Sequence, residues 1–337
     1  MDTHAPIPSV PGVPDSKVVP PPPYDPGPNA VWQPPAAYSS SPRRHPWEIP
    51  MLVLIVLLSL GGYAAVLALV AIGEISDYYL LVLALPLIIF FARGLLYAQL
   101  RVSGVQMTPT QFPDGYRMMV EAAARYGLHY VPDAYVVNGN GAINAFASGH
   151  GFRRYIVVYS DLFEVGGTAR SPEALEFIIG HEVGHIAAGH TSYWRQLLTG
   201  TLMAVPILGT TLSRAQEYTA DNYGYYTRPA GAPPAIGVLA AGKYMLTGID
   251  FDQFADRATQ EKGLFVTLVN LLATHPVLTW RAAALRDRTR SGSLFRRPRA
   301  AKRGVGSGNA VPIPTPPPPA ELPAGSLPNG LQPSPKF

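Results

Sequence analysis

Met51–Ile72 is a run of 22 residues without a charged side chain, and no other feature restricts the fold of this chain so strongly. Backbone N–H and C=O groups cannot stay unpaired in hydrocarbon, so a run of this kind in a bilayer must be a helix. Twenty-two residues at about 1.5 Å each match a hydrocarbon core about 30 Å thick. A short acidic break with Glu74 and Asp77 follows, and then a second apolar stretch from Tyr78 to Leu100, interrupted by Arg93. Residues 51–103 therefore read as a transmembrane hairpin with spans at about 51–72 and 78–100, Arg93 reaching the interface along its aliphatic stem. Few soluble cores hold an uncharged run so long, and a charged fraction of only 14% agrees with membrane residence. Arg43 and Arg44 precede the first span, Arg93 and Arg101 lie at the end of the second, and the loop between them carries only acids. The positive-inside rule then places both tails and the C-terminal domain in the cytoplasm, on a multi-pass protein of the plasma membrane.

The flanks have a different composition. Residues 1–50 contain fifteen prolines and little apolar periodicity, so they are expected to form a disordered tail. The segment lacks the apolar stretch of a signal peptide. Pro21-Pro22-Pro23-Tyr24 matches a short polyproline ligand of the WW type, although proline-rich composition alone accounts for many such matches. Residues 293–337 read as a second tail, basic at its start (Arg296, Arg297, Arg299, Lys302, Arg303) and then proline-rich. These tails are candidate recruiters of a proline-motif-binding partner. The net charge of +4 rests on few charges. No basic stripe is interleaved with aromatics, so the lipid bilayer is the expected partner and nucleic acid is not.

Residues 104–292 carry the globular pattern. Pro113–Leu128 predicts an amphipathic helix, and 134–138, 142–147 and 155–160 predict short strands. Ser171-Pro172-Glu173 is a helix start with cap, first-turn proline and an acid at the positive dipole end. Further helices are expected at about 210–226, 233–247, 260–273 and 276–289. The helix that starts at Ser171 runs into His181-Glu182-Val183-Gly184-His185. Residues four apart share a helix face, so His181 and His185 can hold one metal ion, while Glu182 is rotated about 100° away and can act as general base toward a metal-activated water. The chain has no cysteine, so further ligands must be His, Asp or Glu. The metzincin pattern would need a histidine at 191, where threonine stands. On a continuing helix His190 lies about 140° from His185, an exposed or supporting histidine rather than a ligand. Glu217 and Asp221, four apart on the next expected helix, are the better candidates. Glu217 can close the metal site, and Asp221 can accept a hydrogen bond from a ligand histidine.

HExxH, the downstream Glu217/Asp221 pair, Asn144-Ala145-Phe146-Ala147 and His275-Pro276 together resemble the HtpX-like membrane metallopeptidases, gluzincins related to the CAAX prenyl endopeptidases. The resemblance covers about residues 106–290 and the hairpin. It implies an α+β fold: a mainly helical zincin-type domain with a small antiparallel sheet, preceded by the transmembrane hairpin. It implies one Zn2+ per chain held by His181, His185 and Glu217, with Glu182 as base. Asn144, Ala145 and Phe146 would form an edge strand that aligns a peptide substrate. His275 would stabilise the oxyanion, with a structural cap as the other reading. Arg214 would pair with Glu217 or Asp221, or touch substrate. Family members with a multi-span chamber have further membrane segments. Here 197–212 is short and broken by Pro206, which suits a re-entrant, interfacial or core segment. The function expected is zinc-dependent endopeptidase activity in membrane-protein quality control. A site-specific regulatory protease of a signalling partner and a non-catalytic scaffold are the alternatives.

Overall fold

A computed structural model describes residues 42–166, 171–299 and 332–333; the proline motif at 21–24 and most of the expected C-terminal tail lie outside them. Two long helices open the described chain, α1 (Glu48–Ala71) and α2 (Asp77–Ser103), both long and apolar enough to cross a membrane. Ser76 caps α2 by accepting from the Tyr78 N–H. Each helix is seated on the following domain at one end only. Met51, Leu52 and Ile55 of α1 are buried with Leu212, and Tyr97 and Leu100 of α2 are buried with Tyr135, Tyr155 and Val157. The remaining length of both helices exposes apolar side chains such as Leu57, Leu67, Leu81 and Leu87. Arg93 does not reach outward as expected. Its guanidinium donates to the Gly149 carbonyl at 2.7 Å and to Ser148 Oγ at 2.7 Å, so it pins α2 to the domain, where backbone acceptors are on offer.

The domain then runs β1 (Val105–Gln106), α3 (Pro113–Arg125), β2 (Tyr130–Val131), β3 (Asp133–Val137), β4 (Ala145–His150), β5 (Arg153–Tyr159), α4 (Ser160–Gly166), α5 (Pro172–Ala187), α6 (Tyr193–Met203), α7 (Leu208–Thr227), α8 (Ala232–Met245), α9 (Phe251–Gln260), α10 (Leu264–Leu272) and α11 (Leu278–Arg286), with β6 (Gln332–Pro333) pairing in parallel with β2. The main sheet has the order β1-β3-β5-β4. It is mixed rather than antiparallel as expected. The β4–β5 hairpin turns at Gly151, whose φ of 57° suits glycine, and lays β5 between β4 and β3, parallel to β3. Strand β4 is thereby left at the edge. The helix α9, absent from the sequence expectations, starts at Asp250, whose side chain accepts from the Gln253 N–H. The segment 197–212 is split between α6 and α7. Leu202, Met203 and Leu208 pack on Met51, Leu52 and Ile55 of α1, and the break falls at Pro206 as its missing N–H requires.

Helix α5 lies at the centre of the core. Leu175, Ile179 and Val183 pack in one cluster with Met119 and Ala122 of α3, Ile156 and Val158 of β5 and Ile236 of α8. Ser171 caps α5 by accepting from the Ala174 N–H. Gly180 and Gly184 let α7 approach closely: a Cβ on Gly180 would meet Thr227 Cβ at 2.9 Å, and one on Gly184 would run into Tyr223. The Tyr126 hydroxyl ties the crossing together, donating to the Tyr223 carbonyl at 2.8 Å and lying 3.0 Å from the Gly180 carbonyl.

Candidate metal centre

The close α5–α7 crossing brings His181 and His185, one turn apart on α5, against Glu217 on α7. His181 Nε2 and His185 Nε2 are 3.2 Å apart. Glu217 Oε2 lies 3.5 Å from His181 Nε2, and Oε1 lies 3.4 Å from His185 Nε2. These three residues form the metal-capable group among the described residues. A tetrahedral ion with bonds of about 2.0–2.1 Å separates its ligand atoms by about 3.3–3.4 Å, so the triangle fits a zinc-sized divalent cation with its fourth position left for another molecule. The donor set is two neutral imidazoles and one carboxylate, which suits the same kind of ion.

The surroundings favour positive charge at this point. Burial alone would push the His181 imidazole down, but hydrogen bonds and charge from Asp221 and Glu217 outweigh it and raise it to about 10. Burial would raise Glu217, yet the two histidines hold it well below the usual carboxylate range. The same carboxylates that favour a proton on His181 favour a divalent cation at this point. Asp221 Oδ1 lies 3.0 Å from His181 Nδ1, and this bond directs Nε2 toward Glu217. Asp221 is itself clamped by Arg281, whose Nε and Nη2 donate to its two carboxylate oxygens at 2.9 and 2.6 Å. Burial opposes ionisation of Asp221, but the Arg281 charge and the His181 bond bring it down to about 2. Arg281 Nη1 also lies 3.8 Å from Glu217 Oε2.

Glu182 stands beside this triangle and outside it, lining a cleft of about 250 Å³ together with the three ligand residues and residues 143–147 of the β4 segment. Tyr159 donates its N–H to the Asn144 carbonyl at 2.9 Å. By antiparallel alternation the N–H and C=O groups of Ala145 and Ala147 therefore turn away from β5, toward the open edge. The Phe146 ring packs instead with the Tyr97, Tyr135 and Tyr155 cluster on the α2 side of the sheet. His275 lines the same cleft, 64% exposed, with Nε2 3.5 Å from Glu217 Oε1. It does not cap α11, which begins after Val277 without a side-chain cap.

Arg214 and Arg281 depart from the sequence expectations, and His190 keeps its supporting role in a different position. Arg214 pairs with neither Glu217 nor Asp221. Fully buried, it donates to the carbonyls of Leu271 and Ala273 at 2.7 and 3.0 Å, fixing the segment that leads into His275. His190 is the supporting histidine of the two readings and not the exposed one, and it reaches that role off the helix, because α5 stops at Ala187 and Gly189, at φ 75°, reverses the chain. Its Nδ1 is 2.7 Å from His185 Nδ1. The glycine before it, a common helix terminator, was the available signal. Arg281 was not anticipated, since nothing local to its helix distinguishes it.

The family model of peptidase family M48 matches residues 109–205 and 192–289, spanning every residue of the triangle, the cleft and the arginine clamp. No curated protein and no solved structure matches the chain.

Proposed function

The chain belongs to peptidase family M48, and we propose from that membership and the geometry above that it is a membrane-anchored, zinc-dependent endopeptidase of the HtpX-like kind. The observation that carries the reading is the convergence of His181 Nε2 and His185 Nε2, 3.2 Å apart, on the Glu217 carboxylate, one oxygen of which lies 3.5 Å from the first and the other 3.4 Å from the second, with a separate carboxylate, Glu182, in the same cleft. When bound there, zinc supplies Lewis acidity toward a water and a scissile carbonyl at neutral pH. Glu182 takes the proton of the attacking water and delivers it to the departing amine nitrogen. The outward backbone groups of Ala145 and Ala147 receive the substrate as an added strand, so that affinity comes mainly from main-chain hydrogen bonds. Asn144 and Phe146 set the strand's position, and His275 at the cleft wall donates to the oxygen that becomes negative during attack.

The length and apolar surface of α1 and α2 support a cleft at a bilayer surface, which favours exposed segments of membrane proteins as substrates and quality control as the role. Arg43 and Arg101 on the domain side, against Glu74 and Asp77 in the distal loop, support a cytoplasmic domain at the plasma membrane. Arg44 and Arg93 carry less weight in that argument, since both are engaged in contacts within the protein.

The test is a casein-type cleavage assay with metal analysis on the purified full chain. One zinc per wild-type chain, cleavage by wild type and none by Glu182→Gln with its zinc retained are expected. An active Glu182→Gln would refute the assignment of the base, and unchanged zinc content in Glu217→Ala would remove Glu217 from the ligand set.

A further inference from the structure

The two ligand histidines are oriented differently. His181 meets a carboxylate directly, Asp221. His185 meets His190, Nδ1 to Nδ1 at 2.7 Å, and His190 Nε2 lies 3.2 Å from Glu48 Oε1, at the first turn of α1. Glu48 is 0% exposed. It also accepts from Arg44 at 2.7 Å, from Arg195 at 3.1 Å and from the Thr219 hydroxyl at 2.5 Å. Only one distribution of protons satisfies this chain. His185 turns Nε2 toward Glu217 and His181, so a metal-binding lone pair there puts its proton on Nδ1. That proton is donated to His190 Nδ1, which must be bare because two N–H groups cannot face each other at this distance. His190 then carries its proton on Nε2 and donates to the Glu48 carboxylate.

We propose that Glu48, at the base of the first membrane helix, is a positioning residue for the metal centre, acting through His190 to fix the tautomer and ring angle of His185. The proposal rests on the metal reading above and extends it: the site is completed by the anchor, so metal affinity depends on how α1 is seated against α5 and α7. Removing the supporting partner of a metal ligand typically lowers metal affinity about 10–100-fold. The other groups facing Glu48 are two guanidiniums, which share Oε1 with His190, and the Thr219 hydroxyl, which donates to Oε2; together they hold the carboxylate in place.

The experiment measures zinc affinity of the full chain in detergent by competition with a fluorescent chelator, alongside melting of the metal-free proteins. His190→Phe keeps the volume and loses both nitrogens, and its affinity is expected to fall about 10–100-fold. His190→Gln can accept from His185 and donate to Glu48 through its amide, and it should bind within a few-fold of wild type. Glu48→Gln should also weaken binding, and Glu48→Gln/His190→Phe should be no weaker than His190→Phe alone, because the two act in series. Binding by His190→Phe within two-fold of wild type would overturn the proposal. So would equal losses in His190→Phe and His190→Gln, the result expected if the imidazole only fills space, or fully additive losses in the double variant. A wild type without zinc would sink the metal centre itself, an outcome distinct from each of these.

Discussion

Gly184→Ala separates two effects of opposite sign. A glycine inside a helix is less favourable than alanine by about 1 kcal/mol, so the ordinary expectation for this position in α5 is a gain. The geometry reverses it. A Cβ on Gly184 would collide with Tyr223 Cβ and come within 2.9 Å of Tyr223 Cγ, whereas unstrained carbon contacts sit at about 3.5–4.0 Å. Tyr223 Cβ is fixed to its backbone, so no rotamer change relieves the clash and α7 must retreat by roughly 1 Å. Overpacking of this kind costs about 1–3 kcal/mol, and after the helix gain a net loss of up to about 2 kcal/mol remains. At about 2–4 °C per kcal/mol for a domain of this size, the metal-free variant should melt up to about 8 °C below wild type. The retreat also carries Glu217 away from His181 and His185. Metal–ligand distances tolerate only about 0.2 Å, so zinc affinity should fall by about tenfold or more, the equivalent of at least about 1.4 kcal/mol. Thermal melts and chelator competition on the full chain in detergent test both numbers. A Gly184→Ala protein that melts at or above wild type and binds zinc equally would refute the claim that close α5–α7 contact builds the site.

Three further outcomes are expected. Arg281→Leu leaves Asp221 buried without its guanidinium clamp, a loss of about 3–5 kcal/mol that should appear as little folded protein, with Arg281→Lys recovering the fold more than the zinc affinity; wild-type yield and melting for Arg281→Leu would disprove the clamp. Zinc at about 100 times its Kd should stabilise the folded chain by about 2.7 kcal/mol, a rise of several degrees in Tm that excess chelator removes. Asp161, on α4, is held below its ordinary pKa chiefly by the hydrogen bond from Lys243 on α8, which outweighs burial. Its contribution is therefore complete above the unfolded value of about 3.9 and is lost as pH falls through the lower folded value. Asp161→Asn should accordingly lower Tm throughout pH 5–8, and the gap to wild type should narrow only below about pH 4; a gap that already narrows at pH 6 would contradict the assignment.

What the sequence revealed about this molecule follows the range of each physical signal. The two apolar helices were legible because each is written as a run of twenty or more consecutive residues with one charge at most. The candidate ligand pair His181 and His185 and the pair Glu217 and Asp221 were legible because helix periodicity relates residues four apart, with Glu182 the candidate base between the histidines, and the structure brings the three candidate ligands together. The mixed sheet was not, since strand order follows from where a hairpin is laid, and alternation within a strand is blind to that. His190 was legible as a supporting histidine but not in its position, because α5 ends at Ala187 and does not continue to it, with Gly189 standing in the sequence as the terminator. Arg281 and Glu48 were invisible for another reason. Arg281 is 60 residues from Asp221, and Glu48 is 142 residues from His190, and both look like ordinary helix charges. Their buried partners give them meaning, because a desolvated carboxylate or guanidinium is tolerated only when opposite charge and hydrogen bonds surround it. The one available hint was Glu48 itself, an acid at the foot of an apolar span beside two arginines, where either an exposed charge or a built contact would have fitted. The structure gives that acid four partners from three separate parts of the chain, and one of them, His190, ties the start of α1 to His185 of the candidate metal centre.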